Sequence, residues 1–513
     1  MPYRDKILTS NSLLKKIGRY PRSKGYKIAM CHGVFDLVHP GHIRHLAYAK
    51  TQADLLIVSI TSDVHVHKDS LRPYVPQQLR AENLAALQIV DYVIIDTEPT
   101  PIKNIEKIKP DFFVKGYEYI DGKVDDKTKI EIQTLKKYGG SFISTPGDFI
   151  MSSSKIINES RPDLSLIKIK SLLEGEGISI NQIRQNIEKF KDTPVFVLGD
   201  SIIDTYVETD LIGNNAKTPT FSTRYIREDK YVGGAAIIAK HLASAGADVS
   251  FCSILGKDKL GTYIKKDLKK NGIKDETISV SQRPTTDKKY FIADNYRLLK
   301  VDTVDNSPIS NSLVNEITSK IKKIKKGIII FADFRHGIFN KSSIPLFVKA
   351  INKGVFRVAD SQVASRWGNI LDFKNFDLIT PNEKEARFSL ADQDTTIRPL
   401  ASKLYNQAKC KYMILKLGDR GSITFRRNMK KNDFRSFFVI DAIEKNAIDP
   451  VGCGDALLSY AALGLYHSNN IVTASLLGSI SASLESIING NEPISLNEIL
   501  KKLTSIESQL NLL

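Results

Sequence analysis

Two strings in this chain join glycines, which bare the backbone, to side chains that carry charge or protons. The first is Cys31-His32-Gly33-Val34-Phe35-Asp36-Leu37-Val38-His39-Pro40-Gly41-His42. It follows the apolar run Lys27-Ile28-Ala29-Met30, which reads as a strand. It precedes Ile43-Arg44-His45-Leu46-Ala47, whose apolar residues at i, i+3 and i+4 read as a helix face. His39 and His42 therefore stand where a strand gives way to a helix. Unpaired backbone N–H groups and the positive helix end favour an anion there. Gly41 removes a side chain so that a phosphate can approach, and two imidazoles three residues apart can face one phosphate group. The second string, Asp449-Pro450-Val451-Gly452-Cys453-Gly454-Asp455, precedes the apolar helix pattern Ala456-Leu457-Leu458-Ser459-Tyr460. Its glycines free backbone N–H groups for an anion hole. Asp455, in the first turn, is placed to take a proton from an attacking hydroxyl. Phosphoryl transfer needs little more than in-line positioning, a metal and charge stabilisation.

The elements that must hold these strings follow from the apolar pattern. Residues 1–25 read as one amphipathic helix. Strands are expected over 27–31, 54–60, 92–96, 111–115 and 141–145, and helices over 42–52, 77–90, 101–108 and 127–138. Such alternation implies α/β architecture, a parallel sheet with helices on both faces and ligands at the carboxyl ends of the strands. His39, Ser62, Lys115 and Ser153 all lie at or beyond strand ends. Residues 161–192 lack this rhythm and read as a helical connector. A second series opens at Val195-Phe196-Val197-Leu198-Gly199-Asp200, with strands expected over 249–254, 327–332, 356–360, 376–380 and 412–417. The stretches 205–232 and 286–302 are β-like and predict a small accessory sheet; the last helices are 454–467, 472–488 and 496–511. His65 and His67 alternate at strand spacing and read as solvent-facing.

Composition fits this picture. A chain of 513 residues carries two to three domains. Its 42% hydrophobic and 26% charged residues are those of a globular protein. No apolar run spans a bilayer and the first residues lack a signal-peptide core, so the expected place is the cytoplasm, without a membrane. Cys31, Cys252, Cys410 and Cys453 are scattered without C-x-x-C spacing, which argues against a disulfide framework or zinc site. The net charge of +17 is spread through amphipathic helices, as at Lys320, Lys322, Lys323, Lys325 and Lys326. That reads as a solvated surface plus phosphate sites rather than a nucleic-acid interface.

Beyond these readings, the first string resembles the H-x-G-H signature of the nucleotidylyltransferase superfamily, in its cytidylyltransferase-like branch. Further matches run through Val58-Ser59-Ile60-Thr61-Ser62-Asp63, Arg72-Pro73, Arg80-Ala81-Glu82, Val114-Lys115-Gly116 and Met151-Ser152-Ser153-Ser154-Lys155. The resemblance covers residues 1–160 and implies a Rossmann-like domain. In it, Gly33, Phe35, Asp36 and Gly41 shape the nucleotide loop, and His39 and His42 stabilise phosphate charge. Lys115, Arg72 and Arg80 clamp phosphates, and Ser152, Ser153 and Ser154 add donors; Asp36 orients the loop or the metal rather than acting as a base.

The second string resembles the D-T-x-G-A-G-D signature of ribokinase/phosphofructokinase-B-type carbohydrate kinases. The resemblance implies a ribokinase-like α/β domain with a small β lid over 193–513. Asp455 is then the general base, with Gly452, Cys453 and Gly454 as the anion hole. Asp200, Asp204, Gly233, Gly234, Ala235 and Lys288 lie on the sugar side. Asn382 and Glu385 position Mg²⁺ and water, with Glu385 as the metal-side carboxylate; Lys416 and Gly418 lie on the nucleotide side. The sugar side departs from the pattern. Ile237 replaces an Asn, and Tyr290 takes the Arg place of the T-x-K-x-R lid strand.

Together the halves resemble the bifunctional heptose-phosphate kinase/heptose 1-phosphate nucleotidylyltransferases, in reversed domain order. That implies ATP-dependent phosphorylation of heptose 7-phosphate at position 1 and nucleotidyl transfer from ATP or CTP to a sugar 1-phosphate. It also implies Mg²⁺, a separate phosphatase and a homodimer through the lid. The alternatives are another sugar or polyol phosphate, such as glycerol phosphate, and a nucleotide-binding scaffold with an inactive kinase half.

Overall fold

The computed structural model describes residues 2–8, 23–66, 73–116, 126–145, 165–214, 220–294, 296–362, 369–426, 437–444, 447–488 and 490–512. It divides into two compact units, the first chiefly Met1–Asp163, the second chiefly Leu164–Thr395, Leu400–Met429 and Arg435–Leu513. Among the described residues no helix is long and apolar enough to cross a membrane.

In the first unit the strands are β1 (Ile7–Leu8), β2 (Ile28–Gly33), β3 (Leu55–Thr61), β4 (Tyr92–Asp96), β5 (Phe112–Lys115) and β6 (Ser141–Ser144). They form one parallel sheet in the order β1-β4-β3-β2-β5-β6. Side chains alternate across it with the period of a strand. Ile28, Met30 and Ile57 enter one apolar layer with Ile105, Ile108 and Phe113. Ala29, Cys31, Leu56 and Val58 enter the other with Leu46, Ala49, Ala81 and Leu84. A strand buried on both faces needs an unbroken apolar run, which is why these segments lack polar alternation. The chain runs outward from β2 to β4, then crosses back to place β5 on the other side of β2. The reversal leaves a crevice at the carboxyl end of β2, where such sheets bind ligands.

The N-terminal helix expected over 1–25 is not what forms. Pro2–Lys6 is a 3-10 turn and Ile7–Leu8 adds an edge strand, Ile7 beside Val93 and Leu8 beside Ile94. The Lys6 ammonium donates to the carbonyls of Val90 (2.8 Å) and Leu87 (3.3 Å), and Leu8 is buried. A buried edge position outweighs the weak preference of a short isolated helix. Residues 9–22 lie outside the described residues.

The strands of the second unit are β7 (Pro194–Gly199), β8 (Ser201–Asn214), β9 (Phe221–Gly234), β10 (Asp248–Cys252), β11 (Ile254–Gly256), β12 (Lys274–Asp275) and β13 (Ile278–Val280). They continue with β14 (Thr286–Ala293), β15 (Tyr296–Thr303), β16 (Ile328–Asp333), β17 (Phe356–Ser361), β18 (Leu378–Ile379), β19 (Tyr412–Lys416), β20 (Ser422–Arg426) and β21 (Phe437–Ile440). The main sheet runs β12-β10-β7-β16-β17-β18-β19-β20-β21, parallel as far as β19 and antiparallel beyond. A separate sheet, β15-β14-β8-β9, is the accessory layer expected from the two β-like stretches. Helices Ala235–Ser244, Cys453–Ser468 and Ile471–Glu485 supply much of the core against the main sheet.

The expected connector is also corrected. Its helices, Ser165–Glu176 and Ile180–Glu188, put Ile169, Leu173, Ile183 and Ile187 into the same core as Val195 and Val197. Both are amphipathic, and the buried stripe anchors them to this unit rather than leaving them as a spacer. Ser179 begins the second of them with a capping box closed by Gln182.

Candidate active sites

The first site grows from the end of β2. Phe35 takes a left-handed backbone conformation (φ 49°), and its ring packs beside Gly33, where an added Cβ would stand 3.2 Å away. The helix Pro40–Thr51 then begins with His39 as its N-cap. His39 Nδ1 accepts from the Gly41 N–H (3.2 Å), so neutral His39 carries its proton on Nε2. His42 is fixed the other way, since its Nδ1 lies 3.1 Å from the Leu37 carbonyl and must donate. The two rings stack with centroids 3.9 Å apart and 28° between planes. Burial holds the His39 pKa below its ordinary value.

Around the pair, other predicted residues serve the loop. Asp36 is buried and accepts from the backbone N–H groups of Tyr74 (2.9 Å) and Val75 (2.8 Å). Arg80, expected as a phosphate clamp, is fully buried. Its guanidinium donates to the carbonyls of Val34, Val75 (2.9 Å) and Thr61 (2.9 Å) and to Asp63 (2.5 Å). That geometry makes it a staple for the strand-end loops, because its donors are already committed to backbone and carboxylate. Lys115, at the end of β5, sits 2.5 Å from Glu131 and donates to the Thr128 hydroxyl (3.0 Å). Next to it His32, between Ser59 (3.0 Å) and Thr61 (3.3 Å), is pushed down to about 3 by burial and then by the Lys115 charge. His65 lies in a 3-10 turn rather than on a strand, its Nε2 2.9 Å from the Thr97 carbonyl. Arg72, His67, Ser152, Ser153 and Ser154 lie outside the described residues.

The second site forms where the helix Cys453–Ser468 starts. Gly452 is its N-cap, with φ 85°, so the turn demands a glycine. The N–H groups of Cys453 and Gly454 belong to the first turn, where a helix leaves such donors unpaired. Asp455 is pushed up to about 7, first by burial and then by Asp360 and Asp204, against the pull of Lys416 and Lys288. Lys416 donates to Asp360 (2.8 Å), and a Cβ on Gly454 would stand 3.2 Å from its ammonium. Asn382 and Glu385 form a capping box at the helix Glu383–Leu390. The Asn382 N–H donates to Glu385 (2.7 Å), its side-chain amide donates to Glu385 (2.6 Å), and the Glu385 N–H donates back (2.9 Å). Glu385 is pushed up to about 8 by burial and by Asp360. Gly418, with φ 63°, opens a 3-10 turn after Lys416.

On the sugar side, Gly233 and Gly234 end β9 just before the helix Ala235–Ser244, which Ala235 opens. A Cβ on Gly233 would lie 2.5 Å from the Asp204 carboxylate, so the di-glycine gives that acid its room. Asp204 is pushed up to about 6, chiefly by burial, while Lys288 opposes the shift. Asp200 does not share this role. Its carboxylate accepts from the N–H groups of Phe334 (3.1 Å) and His336 (3.1 Å) and braces the turn after β16. The Cys453 thiol is pushed up to about 12, mainly by burial, which disfavours the thiolate near neutrality.

Several residues at this site are not among those expected to form it. Asp360 pairs with Lys416, and its Oδ1 is buried without a hydrogen-bond partner among the described residues. Glu485 is fully buried and both its oxygens are unpartnered there; a Cβ on Gly452 would lie 2.7 Å from it. It was detectable as the charged residue closing an otherwise uncharged helix, Ile471–Glu485. Asn491 donates to Asp204 (2.9 Å) from a loop with no motif to mark it.

Mg²⁺ fits the carboxylates facing Lys416. Burial raises the pKa of both Glu385 and Asp455, and Asp360 keeps a buried oxygen without a hydrogen-bond partner among the described residues. Among the described residues no group of three or more His, Cys, Asp or Glu side chains is placed to enclose a metal.

Comparison with known proteins decides the family. The profile of the pfkB family carbohydrate kinases matches residues 193–485, more than half of the chain. The chain belongs to the pfkB family of carbohydrate kinases. Ahead of the pfkB region, a cytidylyltransferase-like profile matches residues 30–186. This pfkB-family enzyme thus joins a carbohydrate-kinase half to a nucleotidyltransferase-like half. It is similar to the bifunctional protein HldE of Campylobacter jejuni subsp. doylei, 26% identical over 335 residues, covering 62% of this chain and 68% of that protein. The HldE protein of C. jejuni strain RM1221 is 27% identical over 313 residues, 60% of this chain and 63% of the relative. That of Wolinella succinogenes is 43% identical over 117 residues, 22% and 24% of the two chains. The matched stretches thus span from about a quarter to about two thirds of these relatives. Among solved structures, phosphofructokinase-2 from Escherichia coli in complex with potassium aligns with a TM-score of 0.51 at 17% identity, over 61% of this chain and 99% of that one. At that identity the likeness establishes the fold of the pfkB half.

Proposed function

We propose that this pfkB-family enzyme activates a sugar in two chemical steps, one in each half. The second half phosphorylates a sugar phosphate, heptose 7-phosphate at position 1, with ATP as donor. The first half transfers a nucleotidyl group from a nucleoside triphosphate, ATP or CTP, to a sugar 1-phosphate. The observation that carries the reading is the pairing of two unlike anion sites: stacked imidazoles at one helix start, and a base beside a glycine turn at another.

In the kinase step, Asp455 removes the proton from the attacking hydroxyl. Its elevated pKa makes it a better base than an ordinary carboxylate while still ionised near neutrality. The N–H groups around Gly452, Cys453 and Gly454 take the charge that develops on the transferring phosphoryl group. Lys416 adds a fixed positive charge, and Asp204, Gly233, Gly234, Ala235 and Lys288 hold the acceptor. Asp360 and Glu385 would hold Mg²⁺ through water, and the ion supplies neutralisation of the nucleotide's phosphates. In the nucleotidyl step, a sugar 1-phosphate oxygen attacks the α-phosphate and pyrophosphate leaves. His39 and His42 steady the phosphates, and Lys115, released from Glu131, adds charge. Arg72 and Ser152, Ser153 and Ser154 complete that site in this reading.

Because the acceptor would still carry its first phosphate after the kinase step, a separate phosphatase stands between the two reactions. A cytoplasmic setting accords with free cysteines at Cys31, Cys252, Cys410 and Cys453. The accessory sheet also leaves Leu211, Phe221, Tyr225, Leu299 and Val301 exposed, which supports a homodimer through the lid.

Two variants test the assignment. His39→Ala should abolish pyrophosphate release and spare sugar-dependent ATP consumption; Asp455→Asn should do the reverse. Equal loss of both activities in both variants would reject two separate centres.

A further inference from the structure

The lid carries two stacked tyrosines with a guanidinium over their rings. Registers across the sheet place Lys288 beside Asp204 and Asp302, and Tyr290 beside Tyr206 and Lys300. Residues two apart on a strand share a face, so all of these lie on the face that carries Asp204. Tyr206 and Tyr290 stack with centroids 5.3 Å apart and 18° between planes. The Arg297 guanidinium lies over both rings, 5.1 Å from Tyr290 and 6.0 Å from Tyr206, and Lys300 is 5.7 Å from Tyr290. Arg297 also points to Asp449, the first residue of the second string, at 3.7 Å. That distance is an ion pair without a good hydrogen bond. The side chain remains about half exposed, at 48%.

The lid strand carries Tyr290 where the resemblance expected an arginine, and the guanidinium of the neighbouring strand lies on that tyrosine's ring. Stacking orients the planar fork without consuming its N–H donors, which stay available for a bidentate anion. We propose that Arg297, braced on Tyr206 and Tyr290, binds the phosphate that the acceptor sugar carries away from its reacting hydroxyl. Lys300, also beside the Tyr290 ring, adds positive charge there, and Lys288 stands two residues from Tyr290 on the same face. Arg297 would exchange its long contact with Asp449 for two charge-assisted hydrogen bonds, the stronger interaction. This rests on the reading that the second half phosphorylates a sugar phosphate.

The test compares heptose 7-phosphate with heptose as acceptors for wild type, Arg297→Gln and Arg297→Lys, with melting temperature measured alongside. Losing a charge-assisted pair should raise the KM for heptose 7-phosphate about 10- to 100-fold in Arg297→Gln. The KM values for heptose and ATP should stay within about twofold, and Arg297→Lys should fall between. Equal changes for both acceptors, no change for either, or a raised KM for ATP would overturn the proposal and leave the kinase assignment standing. If Arg297→Gln does not fold, Arg297→Lys is judged by the same criteria. A wild type that phosphorylates neither acceptor removes the kinase assignment itself, and this proposal with it.

Discussion

Asp455 and Arg80 show how far a side chain's surroundings redirect its chemistry. As the proposed base Asp455 has to be ionised, and burial lifts its pKa to about 7. Protonation therefore removes activity: sugar phosphorylation should fall about tenfold per unit as pH drops below 7, which a pH–rate profile will read. Pyrophosphate release depends on other groups and should not follow that curve. Arg80 was legible as a basic residue near a phosphate site, but its task is structural. It ties together the carbonyls of Val34, Thr61 and Val75 and the Asp63 carboxylate. Arg80→Leu leaves those acceptors and a carboxylate unpaired. It should cost about 3–5 kcal/mol of first-unit stability, measured by denaturant unfolding, rather than merely raising the KM for nucleotide.

At the scale of elements, the sequence was most readable where one force decided the outcome. The strands buried on both faces announced themselves as unbroken apolar runs, and both glycine turns lie at helix starts as expected. Where two forces competed, periodicity misled. Leu8 sits in an amphipathic pattern, yet its segment is stabilised more by adding to β4. The connector helices show the same stripe as any surface helix, and nothing in the stripe says which core receives it. Asn382 and Glu385, expected to position Mg²⁺ and water, also form the capping box of their own helix. The analogous box at Ser179 is closed by Gln182, neither of them an expected site residue, and isolates the capping contribution. Ser179→Ala should destabilise the second unit by about 1 kcal/mol with both activities unchanged, read from a chemical melt and the two assays.

The second unit as a whole carries an unusual load of acid. Asp200 and Asp204 are pushed up to about 6, Asp333 and Asp455 to about 7, and Glu385 and Glu485 to about 8, burial being the first cause in each. Each binds its proton more tightly when folded than when unfolded. Stability must therefore fall as pH rises from the ordinary carboxylate range toward 8. Thermal melts of the ligand-free protein between pH 5 and pH 8 should show the second unit weakening with pH; a flat or rising trend would contradict the burial described here.

The lid is built in a manner that bears on how the chain reaches its native state. Strand β14 joins β8 in parallel, although the five strands β9 to β13 and two helices intervene in the chain. A hairpin can zip from its turn, but this pairing requires a long loop to close first. The lid should consequently complete late in refolding. The stacked Tyr206 and Tyr290 offer a native reporter, whose ring environment should recover after backbone order in the main sheet. The enzyme would then acquire its grip on the nucleotide before its discrimination among acceptors.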